Sequence, residues 1–190
     1  MTRIETHLYR AAALFPVAKD IRIALRCIRV ENHPTQGGVL LVATNGHTLI
    51  ALHDPVAAPV ARPLLIPATL KPAANAYGIE IHSDGSTNVV GGPTFAPVTE
   101  TGFPEHWRDA VRAPASHGPL PHAVGIDPKY LELIGKAARV LGAKGIACCT
   151  PPTERSPITY KLTEYATAVV MPYALDSTLA TSGAVWDATP

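Results

Sequence analysis

Apolar residues in this chain fall into three successive passes, each opening at helical spacing and then changing to the two-residue spacing of strands. In the first pass Leu8, Ala11, Ala12 and Phe15 share one face of a helix expected over residues 5–19. Alternation of Ile21, Ile23, Leu25 and Cys27 then predicts a strand over residues 21–31. Turn residues 32–38 lead to two further strands, 39–44 and 49–52, on either side of an Asn45-Gly46 hairpin or bulge signal. The second pass opens with Leu64, Leu65 and Ile66, followed by Pro67, which needs no amide hydrogen at the first turn of a short helix ending near Gly78. Strands are expected over residues 79–82, 88–90 and 95–99, with Asp84-Gly85 and Gly91-Gly92 as turns. In the third pass Asp127 is the N-cap and Pro128 the first residue of the best helix in the chain, with Tyr130, Ile134, Ala138 and Leu141 on its apolar face. Residues 145–149, 158–163 and 166–171 follow as strands.

Ile66-Pro67-Ala68-Thr69-Leu70 and Asp127-Pro128-Lys129-Tyr130-Leu131 are near variants of one opening, a weak internal repeat. Three helix-plus-strands units predict an α+β protein in which helices cover one face of antiparallel sheet. Many of the nineteen prolines fall between the apolar runs. The organisation expected is a domain of two units over residues 1–110, a Pro-rich link over 111–121, a further half-domain over 122–175 and a flexible tail, rich in Ala, Ser and Thr, over 176–190.

A chain of 190 residues with 47% hydrophobic content has enough apolar material for a core without metal or disulfide support. Sixteen basic and fifteen acidic residues leave a net charge of +1, so any contact with nucleic acid has to come from local charge placement. Cys27 and the adjacent Cys148-Cys149 form neither a C-x-x-C motif nor a disulfide framework, and the simplest reading is a reduced, cytoplasmic protein. Residues 1–10 lack the apolar core of a signal peptide, and no run is long and apolar enough to span a membrane.

The search for catalytic chemistry finds little. His47 has no nameable partner to orient it as a base, and the eight histidines show no metal-ligand spacing. Cys148 and Cys149 fall in a strand, one pointing inward and one outward, and are read as packing residues rather than nucleophiles; neither a P-loop nor a G-x-S-x-G nor a G-x-G-x-x-G is present. An enzyme using His47 or a cysteine is therefore the weakest hypothesis, and no cofactor is expected. Basic residues on the expected helices, Arg10 and Lys19 on the first, Lys71 on the second, and Lys129, Lys136 and Arg139 on the third, give each helix a basic side. That side is either an ordinary solvated face or a sequence-independent, salt-sensitive contact with duplex DNA.

Two segments carry a resemblance. Ala43-Thr44-Asn45-Gly46-His47-Thr48-Leu49 resembles the Ala-Thr-Asp-Gly-His-Arg-Leu segment of the bacterial DNA polymerase III β sliding clamps, and Val169-Val170-Met171-Pro172 resembles the Val-Met-Pro run that closes that family's chains. Phe103-Pro104 before a domain link, and the Asp127-Pro128 helix opening, fall in the same order. The resemblance implies a truncated clamp, a middle domain plus the last half-domain, with no enzymatic activity. It also implies a peptide groove: Leu25 on a strand; Thr44, Gly46, His47, Thr48 and Leu49 at the hairpin; Pro114 in the link; and Val169, Val170, Met171 and Pro172 at the end. In the family this groove accepts short motifs rich in Gln, Leu and Phe from polymerase and repair proteins.

The residues themselves leave two readings open at the end of the chain. Apolar residues and a deformable Met beside a turn suit a pocket for Leu or Phe anchors, yet Val169 to Met171 also suit an ordinary core strand. Asn45 for Asp and Thr48 for Arg each remove one charge from the groove rim, so peptide preference is expected to differ. The leading expectation is a peptide-docking module. The alternative is an oligomeric ring around duplex DNA, for which a chain of three units would need four copies at unchanged geometry.

Overall fold

The computed structural model describes residues 1–72, 76–99, 102–111, 124–149 and 156–173. The first pass builds β1 (Thr2–Ile4), α1 (Thr6–Ala12), a 3-10 turn (Ile23–Arg26), β2 (Cys27–Asn32), β3 (Val39–Thr44) and β4 (Thr48–Asp54). The second builds β5 (Leu64–Pro67), β6 (Ile79–Ile81), β7 (Thr87–Val89), β8 (Thr94–Phe95) and a short helix α2 (Trp107–Val111). The third builds α3 (Pro128–Val140), β9 (Ala147–Cys149), β10 (Ile158–Thr163) and β11 (Ala166–Val170).

All ladders are antiparallel and form two sheets, one ordered β1-β6-β7-β8 and one of seven strands ordered β5-β2-β3-β4-β11-β10-β9. The larger sheet runs from the first pass into the third through β4 and β11, where Leu52 lies opposite Ala166 and Thr48 opposite Val170. Strand alternation gives this sheet two apolar faces. Ile28, Val30, Leu41, Ile50, Leu52, Ala168 and Val170 face a main core shared with α1, with α3 and with Ile4, Ile79 and Ile81 of the smaller sheet. Cys27, Val42, Leu49, Leu65 and Val169 face a second core, closed by Phe103 and Trp107. Strands β2–β4 and β9–β11 thus share one sheet, and α1 and α3 share one main core.

Helix α3 forms where the Asp-Pro opening places it. Asp127 accepts the Lys129 amide at 3.0 Å, Pro128 enters at the first turn, and Ile134, Ala138 and Leu141 are buried. The Lys129 side chain, bonded to the Asp127 carboxylate, holds that carboxyl below its ordinary pKa, and the Lys129 amide adds to the effect. A depressed folded pKa stabilises the fold above the unfolded value and is lost as pH falls through the folded one, here below about pH 4. Acidification from pH 5 to pH 3 is therefore expected to lower the melting temperature less in Asp127→Asn, which keeps the cap but cannot titrate, than in the parent; equal drops would show that the Asp127 charge does not contribute.

Several expected elements are corrected. The first helix ends at Ala12 rather than near residue 19, because Leu14 and Phe15 donate to carbonyls only three residues back and Pro16 has no amide to continue the ladder. Lys19 consequently lies in a loop. Ile21 is 95% exposed and residues 23–26 form a 3-10 turn, so Leu25 is not on a strand; the strand begins at Cys27. The second helix is not found: Leu64–Pro67 is an edge strand on β2, and the described residues 68–72 and 76–78 are turn and coil, which leaves Lys71 off any helix. Buried Tyr9 fixes this region, its hydroxyl donating to the Pro67 carbonyl at 2.6 Å and accepting from the Leu70 amide at 3.0 Å. On the outer strand β9 Cys148 is exposed and Cys149 half-buried, so the expected inward–outward alternation is seen but neither thiol reaches the core, while Cys27 is buried. The Pro-rich link from residue 112 and the tail over residues 176–190 lie outside the described residues.

Candidate functional site

The hairpin between β3 and β4 is closed by its own side chains. Asn45 Oδ1 accepts the amides of His47 at 2.9 Å and Thr48 at 2.8 Å. Thr44 Oγ1 donates to the Thr48 carbonyl at 2.7 Å and accepts the Gly46 amide at 3.0 Å. Gly46 takes the left-handed conformation (φ 89°) that the turn requires. Every bond at Asn45 Oδ1 is accepted, so a carboxylate would serve there equally well; the Asn in place of Asp removes charge without removing the turn.

The end of the chain is joined to this hairpin. Val169 pairs with Leu49, Val170 with Thr48, and the Met171 amide continues the ladder by donating to the His47 carbonyl at 2.9 Å. Alternation then divides the expected groove residues between the two faces of the sheet. Leu49 and Val169 point to the second core, where Trp107 covers them. Val170 points to the main core, and Thr48, on the same side, is buried with its hydroxyl unpaired. The exposed His47 ring stacks on Tyr130 of α3, with ring centroids 5.9 Å apart and planes at 19°, and so belongs to the helix side rather than to the Leu49 side. Thr44 and Leu25 are buried, the latter on the 3-10 turn. Pro114 lies outside the described residues.

An apolar lip remains at the second-core face. Met171, two residues beyond Val169, is 43% exposed, Pro172 is half-buried and Tyr173 exposed. Helix α2 packs against β11 and brings half-buried Ala110 and Val111 onto the same cluster as Leu49 and Val169. Lip, floor and helix are the elements that a docking groove at this end of the chain would use, and α2 is the one that sequence reasoning missed. The signal was present: Ala110 and Val111 lie three and four residues after Trp107, the spacing at which side chains share a helix face.

What holds α2 in place is a buried carboxylate. Glu31 on β2 is bonded by Arg29 Nε at 2.6 Å and by the Arg108 guanidinium from α2. Arg29 lies over the Phe103 ring at 5.7 Å and Arg108 over the Trp107 ring at 4.7 Å. The guanidiniums therefore satisfy Glu31 and pack on the aromatics that close the second core.

Other candidate chemistry is dispersed. Burial raises the Cys148 thiol pKa, the opposite of what a nucleophilic thiolate requires, and Tyr160 beside it is pushed up to about 12, also chiefly by burial. Among the described residues no group of His, Cys, Asp and Glu is arranged to hold a metal, and no helix is long and apolar enough to cross a membrane. Of the basic residues, Arg10 bonds the Pro72 carbonyl at 2.9 Å, while Lys129 meets Asp127 and Lys136 meets Glu132, each at 2.7 Å. Arg139 lies exposed on α3. A cavity of about 600 Å³ lies elsewhere, between residues 59–65, the turn 82–85 and residues 97–99, with Met1 at its rim; none of the expected groove residues lines it.

No family model and no curated protein matches the sequence. The structure resembles solved bacterial DNA polymerase III β sliding clamps. The C. crescentus beta sliding clamp superposes with a TM-score of 0.62 at 13% identity, covering 92% of this chain and 66% of the clamp. The beta subunit of Borrelia burgdorferi gives 0.63 at 12% identity over 92% and 62%, and that of Thermotoga maritima 0.59 at 16% over 92% and 65%. The chain spans slightly less than two thirds of the length of these clamps, and at such identities the likeness shows the fold.

Proposed function

We propose that this chain, which has the fold of a bacterial DNA polymerase III β sliding clamp, is a non-enzymatic, clamp-like replication accessory protein that docks short peptides of polymerase and repair proteins. The observation that carries the reading is the lip at the end of β11. Exposed Met171 follows a buried floor of Leu49 and Val169 against which α2 packs, an arrangement of deformable apolar rim and rigid wall that suits Leu and Phe anchors. His47, stacked on Tyr130 across the sheet, acts through its carbonyl, which fixes the Met171 amide, rather than through its ring.

Titration of a labelled Gln-Leu-Leu-Phe-type peptide, read by fluorescence anisotropy, tests this. Met171→Asp is expected to weaken binding at least about tenfold, which corresponds to about 1.4 kcal/mol, whereas His47→Ala is expected to change it little. Equal affinity of the parent and Met171→Asp would remove the groove. Duplex DNA is the less supported partner, because Lys129 and Lys136 already face carboxylates and encirclement would need further copies of the chain. A shallow dependence of any DNA association on salt is the corresponding expectation.

A further inference from the structure

The first two passes of the chain exchange strands. β1, ahead of α1, leaves its own pass to pair with β6, and β5, which opens the second pass, pairs with β2. Both exchanges keep one register: the last residue of the donated strand lies opposite the first residue of the receiving strand, Ile4 opposite Ile79 and Pro67 opposite Cys27. Each receiver comes next in its own pass: β2 is the first strand after α1, and β6 the first strand after β5.

The third pass contains both halves of this exchange. Residues 124–126 stand ahead of α3 as β1 stands ahead of α1, and β9 follows α3 as β2 follows α1. Among the described residues the third pass has no other pass to exchange with. Among the described residues β9 pairs with β10 alone and its outer side is open, while residues 124–126 make a single bridge, Gly125 to Tyr173. The open edge also lacks the devices that blunt edge strands. Gly145, Ile146, Ala147, Cys148 and Cys149 contain neither a charge nor a proline, and all but half-buried Cys149 are exposed.

We infer that β9 is an interface for a second copy of this chain, which supplies its residues 124–126 as the neighbouring antiparallel strand and receives the same segment in return. Reciprocal donation makes the contact two-fold and closed, so it ends at a dimer. Carrying over the register of the two internal exchanges sets Ile126 opposite Ala147, Gly125 opposite Cys148 and Val124 opposite Cys149. The uncharged, small side chains of β9 leave room for Val124 and Ile126 on the receiving edge. The exchange does not rest on peptide docking: Gly125 bridges Tyr173 beside the lip, but the receiving edge is β9, two strands away from β11.

Two measurements test the dimer. Light scattering on the unaltered full chain is expected to give twice the mass of one chain, and a monomer at micromolar concentration would overturn the inference. For the register, a donor copy carrying Val124→Cys, Cys148→Ser and Cys149→Ser is mixed with a receiver carrying only Cys148→Ser and oxidised mildly. Residues directly opposite in an antiparallel pair have Cα atoms about 4.5–5.5 Å apart, within the reach of a disulfide. Intact mass is expected to show a donor–receiver disulfide that reduction removes and that a Val124→Ser donor does not form. A dimer without that product, or one trapped as receiver–receiver through Cys149, would overturn the exchange.

Discussion

Gly38→Ala is expected to cost about 3–4 kcal/mol of stability, with a drop in melting temperature on the order of 10 °C, whereas Gly37→Ala is expected to cost about 1 kcal/mol. Both glycines lie in the turn between β2 and β3 in the left-handed region, at φ 68° and 71°. They differ in surroundings. A Cβ at Gly37 meets nothing within 4 Å, so only backbone strain is added. A Cβ at Gly38 would collide with the Asp54 carbonyl oxygen and stand 2.7 Å from Pro55 Cα, both backbone and unable to swing aside. The displaced residue is itself a junction: the buried Asp54 carboxylate accepts the Glu5 amide at 3.2 Å at the start of α1 and the Val56 and Ala57 amides at 3.2 and 3.1 Å. Equal melting temperatures for the two variants would show that the close approach at Gly38 is absent.

Glu31→Gln is expected to cost about 2–3 kcal/mol and to loosen α2. Breaking a buried ion pair by removing one partner typically costs about 3–5 kcal/mol, and the lower figure applies because the partly exposed Arg108 regains water when released. The Arg29 and Arg108 guanidiniums, which pack on Phe103 and Trp107, lose their shared anchor. Trp107 should then sample water, which in a Trp186→Phe background reads as a red shift of tryptophan emission. The same variant should weaken peptide binding, because α2 is the wall of the proposed groove. Unchanged emission with full stability would mean that α2 is held by apolar contact alone.

How much of this was legible in the sequence depended on how local the causes are. The α3 cap, the Asn45 hairpin and the strand alternation of β3, β4, β10 and β11 are fixed by neighbours within a few residues, and these were read correctly. The second helix was misread because Leu64–Pro67 owes its extended form to β2 and to the Tyr9 hydroxyl 58 residues away. Helix α2 escaped because its anchor, Glu31, is 77 residues from Arg108. Within the candidate groove, the motif segments resembling the clamps located Leu49, Val169 and Met171, but spacing alone did not reveal that the His47 ring turns to the opposite face. That division follows from the pairing of β11 with β4, which a linear reading assigned to separate domains.

The chain contains two methionines, and they stand at the two rival recesses: Met171 at the lip beside α2 and Met1 at the rim of the 600 Å³ cavity. A methyl spectrum of protein labelled at the methionine ε-carbon, retaining Met1, therefore reports both places at once. On titration with the Gln-Leu-Leu-Phe-type peptide, the Met171 signal is expected to move in a saturable way while the Met1 signal stays still. Movement of Met1 alone would relocate the site to the cavity, and two unmoved signals at saturating peptide would contradict peptide docking by this chain.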